Sequence, residues 1–368
     1  MKTPYNPTAL PINKLDWEVL IPRIGMAQAA VARFDGILQA MVNPELLLSP
    51  LTTQEAVLSS KIEGTQASLE DVLQYDAAPR ADAEHRDDIQ EVQNYRAAMR
   101  KAVGWLKKSG LTVDVIRQTH KVLLSGVRGQ GKTPGKVRTT QNYIGYRGES
   151  IEKAIFIPPA PDVLPAALKD LEGFCDTTQR DTIVQTALVH AQFELLHPFL
   201  DGNGRVGRIL IPLMLFSKGL ISRPTFYISE YFEENRLQYY RRLAAISEEQ
   251  DWQGWSEFFL TAVSEQAELN ARRAGAMLRL YNDMKDVINR VTRSQHALET
   301  LDALFASPFM TKSDFVKRTK IATRSAERLL PQLEAAGILT IAEPGSGSRP
   351  TVFVFKRLLA ITEQREGF

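Results

Sequence analysis

From about residue 23 to about Lys108 the apolar residues recur three and four apart with polar residues between them, a period that predicts α-helices. The Pro- and Asn-bearing stretch up to about Pro22 predicts an extended arm, and the polar Asp76-Ala77-Ala78-Pro79-Arg80 run a loop. Helical spacing returns from Leu111 to Ala262. It is interrupted by the β-leaning segments Val137 to Gly145 and Ala154 to Pro159, which flank a turn containing Gly148 and predict a hairpin, and by a turn over Pro158 to Pro165. A long polar and apolar helix then continues to about Arg293. Beyond it, Gln295 to Phe305, Lys312 to Arg318 and Thr323 to Ala335 predict three shorter helices. Gly337 leads into strand-like Ile338 to Ile341, and Gly345-Ser346-Gly347-Ser348 turns the chain into Thr351 to Phe355. The expected fold is mainly α, in three parts: a helical unit over residues 1–110, a helical core with a hairpin over 111–293, and three helices with a two-stranded wing over 294–368.

The helix predicted over Ala187 to Leu196 runs into His197-Pro198-Phe199-Leu200-Asp201-Gly202-Asn203-Gly204-Arg205-Val206-Gly207-Arg208. A histidine titrates near neutrality and can take a proton from a hydroxyl nucleophile. Asp201 offers carboxylate oxygens to a divalent cation. Gly202, Asn203 and Gly204 can aim successive backbone N–H groups into one concavity, and a helix starting there adds the attraction of its dipole for an anion. Arg205 and Arg208 fall on neighbouring positions of one helical face, where each guanidinium can clasp a different phosphate. These are the parts of a reaction at phosphorus. Two alternatives stay open. Gly202 to Gly207 also satisfies the glycine spacing of a dinucleotide fold, but that fold needs a strand where this chain has a helical pattern. A plain structural turn leaves the histidine and the paired arginines without a use.

The run from His197 to Arg208 resembles the signature His-Pro-Phe-x-(Asp/Glu)-Gly-Asn-x-x-x-x-Arg of the Fic domain proteins, which typically transfer AMP from ATP to a hydroxyl of a protein. The resemblance implies that His197 is the general base and that Asp201 binds Mg²⁺. It implies that Gly202, Asn203, Gly204 and Arg205 cradle the α- and β-phosphates of ATP, that Arg208 reaches the γ-phosphate, and that Val206 and Gly207 belong to the same nucleotide-binding stretch. Ser59-Ser60-Lys61-Ile62-Glu63-Gly64 resembles the (Ser/Thr)-x-x-x-Glu-(Gly/Asn) inhibitory segment of such proteins, with Ser59 and Glu63 at the motif positions. Its place before the core implies the class with an N-terminal inhibitory helix, in which Glu63 pairs with Arg208 and keeps the γ-phosphate out. Read alone, a glutamate beside a helix end followed by Gly is an ordinary solvated residue. The hairpin resembles the flap that such proteins carry over the site, with Tyr143, Ile144 and Gly145 placed to position a target segment through an exposed strand edge. Tyr239 falls where relatives place a nucleotide contact; half-buried packing is the plain alternative.

Composition narrows the setting. With 368 residues, 44% of them hydrophobic and 24% charged, the chain has enough material for a large core. A net charge of +2 favours neither nucleic acid nor membrane for the chain as a whole. A single cysteine, Cys175, excludes an internal disulfide framework and agrees with a reducing, cytoplasmic location, and no run approaches a bilayer span. The last part resembles a winged helix-turn-helix, a module that serves as a DNA-binding, protein-docking or homodimer unit. Lys312, Lys317, Arg318, Lys320, Arg324 and Arg328 outnumber Asp314 and Glu327 there, as phosphate contacts require. Two functions of different class follow. One is an adenylyltransferase using ATP and Mg²⁺ on Tyr, Thr or Ser hydroxyls of a target protein or of itself. The other is a DNA-binding regulator whose core senses a nucleotide or transfers another phosphate-containing group.

Overall fold

The computed structural model describes residues 3–363, apart from 81–82, 128–130, 146–147, 149 and 348. The first helix, α1 (Trp17–Ala40), begins before the expected end of the arm, because the Asp16 carboxylate accepts from the N–H groups of Glu18 and Val19 and fixes the first turn. Pro22 is accommodated inside the helix. Leu20, Ala27, Val31, Phe34 and Leu38 line its buried face at helical spacing. After α2 (Pro44–Leu47) come α3 (Ser49–Ile62), α4 (Leu69–Ala77) and α5 (Arg86–Ser109). A capping box, in which Ser68 and Asp71 exchange side-chain and backbone hydrogen bonds, starts α4.

The core follows with α6 (Val113–Leu123), α7 (Leu164–Asp176), α8 (Thr182–Leu196), α9 (Asn203–Ser217), α10 (Ser229–Glu234), α11 (Arg236–Glu249) and α12 (Trp252–Thr292). The helix α8 is apolar nearly all round and is buried accordingly, packing against α7, α9 and α12. The long α12 runs along α1, and α3 is held between α5 and α10. Between α6 and α7 the expected hairpin is reduced to one antiparallel bridge. Ile144 N–H donates to the Phe156 carbonyl at 2.8 Å, and Phe156 N–H donates back at 3.1 Å. Pairing goes no further because Pro158 and Pro159 have no N–H for a ladder, and the side chains of Gln141 and Arg138 take their carbonyls. Tyr146, Arg147 and Glu149 of the expected turn lie outside the described residues.

The C-terminal part contains α13 (Ala297–Ala306), β1 (Phe309–Thr311), α14 (Lys312–Thr319), α15 (Thr323–Ala335), β2 (Thr340–Glu343), β3 (Val352–Val354) and α16 (Lys356–Glu363). Its three-stranded antiparallel sheet runs β1-β3-β2, with Phe309 opposite Val354 and Thr340 opposite the same residue on the other side. The sequence predicted two of these strands; β1 has three residues, too few for an alternation to declare itself. The sheet is tied to the rest of the chain, since Leu69, Leu73 and Ala77 of α4 pack on Phe309, Val352 and Val354. Among the described residues no helix is long and apolar enough to cross a membrane.

Candidate active site

The chain leaves α8 at His197, whose left-handed φ of 44° and ψ of 58° end the helix while its N–H still donates to the Phe193 carbonyl at 3.1 Å. A brace from the segment after α6 holds the turn. Arg138 donates through Nε to the His197 carbonyl at 3.0 Å and through its backbone N–H to the Pro198 carbonyl at 2.9 Å. Phe199 stacks flat on His120, with ring centroids 3.8 Å apart. The Gly135 N–H donates to His120 Nδ1 at 2.8 Å, so the proton of that ring is on Nε2, which donates to the Asp201 carbonyl at 2.9 Å. Asn203 closes the loop by accepting from Phe199 N–H and donating to the Phe199 carbonyl, each at 2.9 Å. These contacts hold the backbone on either side of the His197 ring, whose Nδ1 is buried with no hydrogen-bond partner among the described residues. Burial pushes the imidazole down to about 4, which leaves it neutral at pH 7 with a lone pair to accept a proton.

Gly202, in the left-handed region at φ 77°, caps α9, and the helix N-terminus presents the concavity that the glycines predict. An anion of the protein's own occupies it. The Glu63 carboxylate lies against Gly204, where a Cβ would stand 2.2 Å from Glu63 Oε1 and 3.0 Å from Arg208 Nη1, so no residue but glycine fits while Glu63 is seated. Arg208, 1% exposed, donates through Nη2 to Glu63 Oε1 at 2.7 Å and to the Ser59 carbonyl at 2.7 Å, and through Nε to Ser59 Oγ at 2.8 Å. Burial alone raises the Glu63 carboxyl, but the adjacent Arg208 guanidinium overrides it and holds the group below the usual carboxylate range. Glu63 itself is the C-cap of α3. Arg236 fixes that end by donating to the Ile62 carbonyl at 2.7 Å, and Lys61 pairs with Glu233 at 3.3 Å.

The second arginine looks the other way. Arg205, 3% exposed, donates to Glu91 Oε2 of α5 at 2.8 Å, while its Nη2 lies 3.6 Å from Asp201 Oδ1. Thr65, just past the Ser59 to Gly64 segment, donates to the same Glu91 oxygen at 3.2 Å. Asp201 keeps its side chain 37% exposed beside the concavity. Among the described residues no cluster of three or more His, Cys, Asp or Glu could hold a metal by itself. Mg²⁺ delivered with a polyphosphate asks for only one or two carboxylates besides the phosphate oxygens, and Asp201 fits that donor set.

Val206 is core, and Gly207 is required by a group that the sequence reading passed over: a Cβ there would meet Glu194 Oε1 at 2.0 Å. Glu194 stands one helical turn before His197, its Oε1 buried without a hydrogen-bond partner among the described residues, and burial pushes its carboxyl up to about 8. Tyr239 is buried in the aromatic cluster with Phe232 and Trp255, and its hydroxyl meets His190 Nε2 at 3.0 Å. His190 Nδ1 faces the Gly207 carbonyl at 3.0 Å and so carries the proton, which makes the tyrosine the donor to Nε2. Tyr143 and Ile144 are exposed at the bridge, and Gly145 packs on Ala154. Arg138 and His120 were also missed, because a lone arginine or histidine 59 or 81 residues from its partner carries no local pattern.

Two family models match the chain: Fic/DOC family N-terminal over residues 21–104 and Fic/DOC family over residues 110–215. Protein adenylyltransferase fic-1 of Caenorhabditis briggsae is 31% identical over 127 residues, 33% of this chain and 23% of that protein. A probable protein adenylyltransferase of Aquifex aeolicus is 28% identical over 183 residues, 48% of this chain and 52% of that protein. The chain therefore matches between about a quarter and about half of the length of these curated relatives. A crystal structure of a Fic family protein from Desulfovibrio desulfuricans G20 superposes with a TM-score of 0.59 at 20% identity, covering 95% of this chain and 98% of that one, which shows a shared fold.

Proposed function

Because the chain belongs to the Fic/DOC family, we propose that it is a protein adenylyltransferase whose resting state is inhibited by Glu63. The observation that carries this reading is the Glu63 carboxylate seated on Gly204 and bound to Arg208 at 2.7 Å. A carboxylate at a helix N-terminus, held by a buried guanidinium, marks where a phosphate group belongs. In the reaction, the oxygen of a target Tyr, Thr or Ser attacks the α-phosphorus of ATP. The new P–O bond forms as the bond to the bridging oxygen breaks, pyrophosphate departs, and the hydroxyl proton passes to the neutral His197 ring. Gly202, Asn203 and Gly204 present the helix N-terminus to the phosphates, and Arg208, once freed, meets the γ-phosphate. On this reading Arg205 serves the α- and β-phosphates. Asp201 would hold Mg²⁺, which offsets the charge gathering on pyrophosphate. The edge at Tyr143, Ile144 and Gly145 serves to align the target main chain.

Incubation with labelled ATP and a cell lysate tests the reading. It predicts AMP on protein hydroxyls by mass spectrometry, absent with His197→Ala. Label confined to non-protein products, or none even with Glu63→Gly, contradicts it.

We also read the C-terminal part as a winged helix, with docking as its role. The DNA-regulator alternative has less support, since two of its cations are already neutralised: Lys312 by Glu327 at 2.7 Å and Arg318 by Asp314 at 2.6 Å.

A further inference from the structure

A cavity of about 800 Å³ lies between α1, α3, α5, the end of α9 and the 222–227 loop, apart from the residues around His197. Its volume suits a small organic ligand. One face of α5 supplies a wall in which Met99 and Val103, four apart, lie among Arg96, Arg100 and Lys107. Phe216 and the buried Phe226 and Leu38 complete the apolar part. The charges are unequal in their engagement. Arg96 pairs with Asp76 at 2.5 Å, and Arg223 pairs with Glu45 at 3.0 Å. Glu55, the other carboxylate on the wall, accepts from Ser229 N–H at 3.0 Å and Ser229 Oγ at 2.6 Å. Arg100 and Lys107 are exposed and face no carboxylate among the described residues; the Lys107 ammonium lies 5.7 Å from the centre of the Phe216 ring. The Thr225 hydroxyl, on the same wall, is buried with no hydrogen-bond partner among the described residues. A chamber of mixed lining, with an apolar wall at Met99, Val103, Phe216 and Phe226, two cations that meet no carboxylate among the described residues and an unpaired hydroxyl, complements a molecule with an apolar body and one anionic end.

We propose that this cavity binds a small amphipathic carboxylate, its body against Met99, Val103 and Phe226 and its anionic end held by Arg100 and Lys107. Thr52 and Glu55 of α3 belong to the wall, and the same helix carries Ser59 and ends at Glu63. On the adenylyltransferase reading, the bound molecule is therefore an effector of the inhibitory contact.

Titration calorimetry of the full chain with sodium decanoate, and with decyltrimethylammonium as the cationic counterpart, reads binding without reference to transfer. One saturable site for decanoate and none for the cation is expected. Arg100→Ala combined with Lys107→Ala should weaken decanoate roughly tenfold or more, and Val103→Trp, which fills the chamber, should remove the site with the circular dichroism unchanged. No decanoate binding, equal affinity for the cationic amphiphile, or binding unaltered in both variants overturns the site. Auto-modification by labelled ATP with and without decanoate then reads the effector clause: a change in rate that Val103→Trp abolishes supports it, and an identical rate at saturation overturns it while leaving the site standing.

Discussion

The charged side chains around α9 and those of α14 and α15 are partnered in opposite ways. Arg208 reaches Glu63 across 145 residues of sequence and Arg205 reaches Glu91 across 114; both guanidiniums are buried, and the Glu63 side chain stays about a third exposed. Lys312 meets Glu327 across 15, and Arg318 meets Asp314 one helical turn away, Lys312 and Glu327 about half exposed. Long-range buried pairs fix the relative placement of whole elements, because a guanidinium withdrawn from water must keep its partner. A local, solvated pair such as Lys312–Glu327 fixes little, and its loss is cheap. The long-range pairs consequently tie α3 and α5 to α9, whereas the pairs of α14 and α15 stay within their own part.

The largest effect expected is chemical. His197→Ala should lower transfer by roughly 10²- to 10⁴-fold, the usual contribution of a general base, with ATP affinity nearly unchanged by calorimetry. Transfer at the wild-type rate would remove His197 from the mechanism.

Breaking the buried side of the comparison comes next. Glu91→Ala leaves Arg205 with only the longer, partly solvated contact to Asp201 at 3.6 Å and should cost about 3 kcal/mol of stability in denaturant titration. A loss below about 1 kcal/mol would mean that Arg205 has another partner and that the tie between α5 and α9 is not ionic.

Glu194 gives a pH test. Its carboxyl is pushed up to about 8 in the folded chain, against an ordinary value of 4.5 that the unfolded chain keeps. The folded state thus holds a proton that the unfolded state has released, so the stability this group contributes is complete below pH 4.5 and is lost as pH rises through 8. His120, His190 and His197, pushed down by burial to about 4, 3 and 4, act in the opposite sense only below about pH 6.5. Those groups are common to wild type and Glu194→Gln, so the difference between the two isolates Glu194: between pH 6.5 and 9 Glu194→Gln should relieve a decline of about 2 kcal/mol, read as a melting-temperature difference that widens with pH. Parallel pH profiles for the two proteins contradict it.

The smallest effect belongs to the solvated pairs. Lys312→Ala together with Glu327→Ala should change stability by less than about 1 kcal/mol and leave transfer unaltered. A fall in transfer would show that the C-terminal helices are coupled to the site.

Much of this was legible in the sequence, and unevenly. The bounds of α15 and the end of α12 were read within a residue, because their apolar spacing is regular and Arg293, with φ 44°, stops the latter sharply. Glu63 and Arg208 are expected to pair from a resemblance alone, and they stand 2.7 Å apart; the Ser59 hydroxyl, 2.8 Å from Arg208, joins them. Other parts could not be read. Whether the β-leaning segments around Gly148 form a ladder depends on which side chains claim the carbonyls of Pro158 and Pro159, which is a tertiary matter. Glu91 looked like any glutamate on a surface helix until Arg205 and Thr65 were found facing it.

The central claim is that Glu63 excludes the γ-phosphate by holding Arg208, and auto-modification by labelled ATP tests it most directly. Glu63→Gly removes the competitor and leaves a buried guanidinium with donors that the γ-phosphate can satisfy. A charge-assisted contact of roughly 1.5–3 kcal/mol corresponds to about a ten- to hundredfold rise in labelling, abolished when His197→Ala is added. Labelling no higher than wild type, with the fold of Glu63→Gly intact by circular dichroism, contradicts the claim.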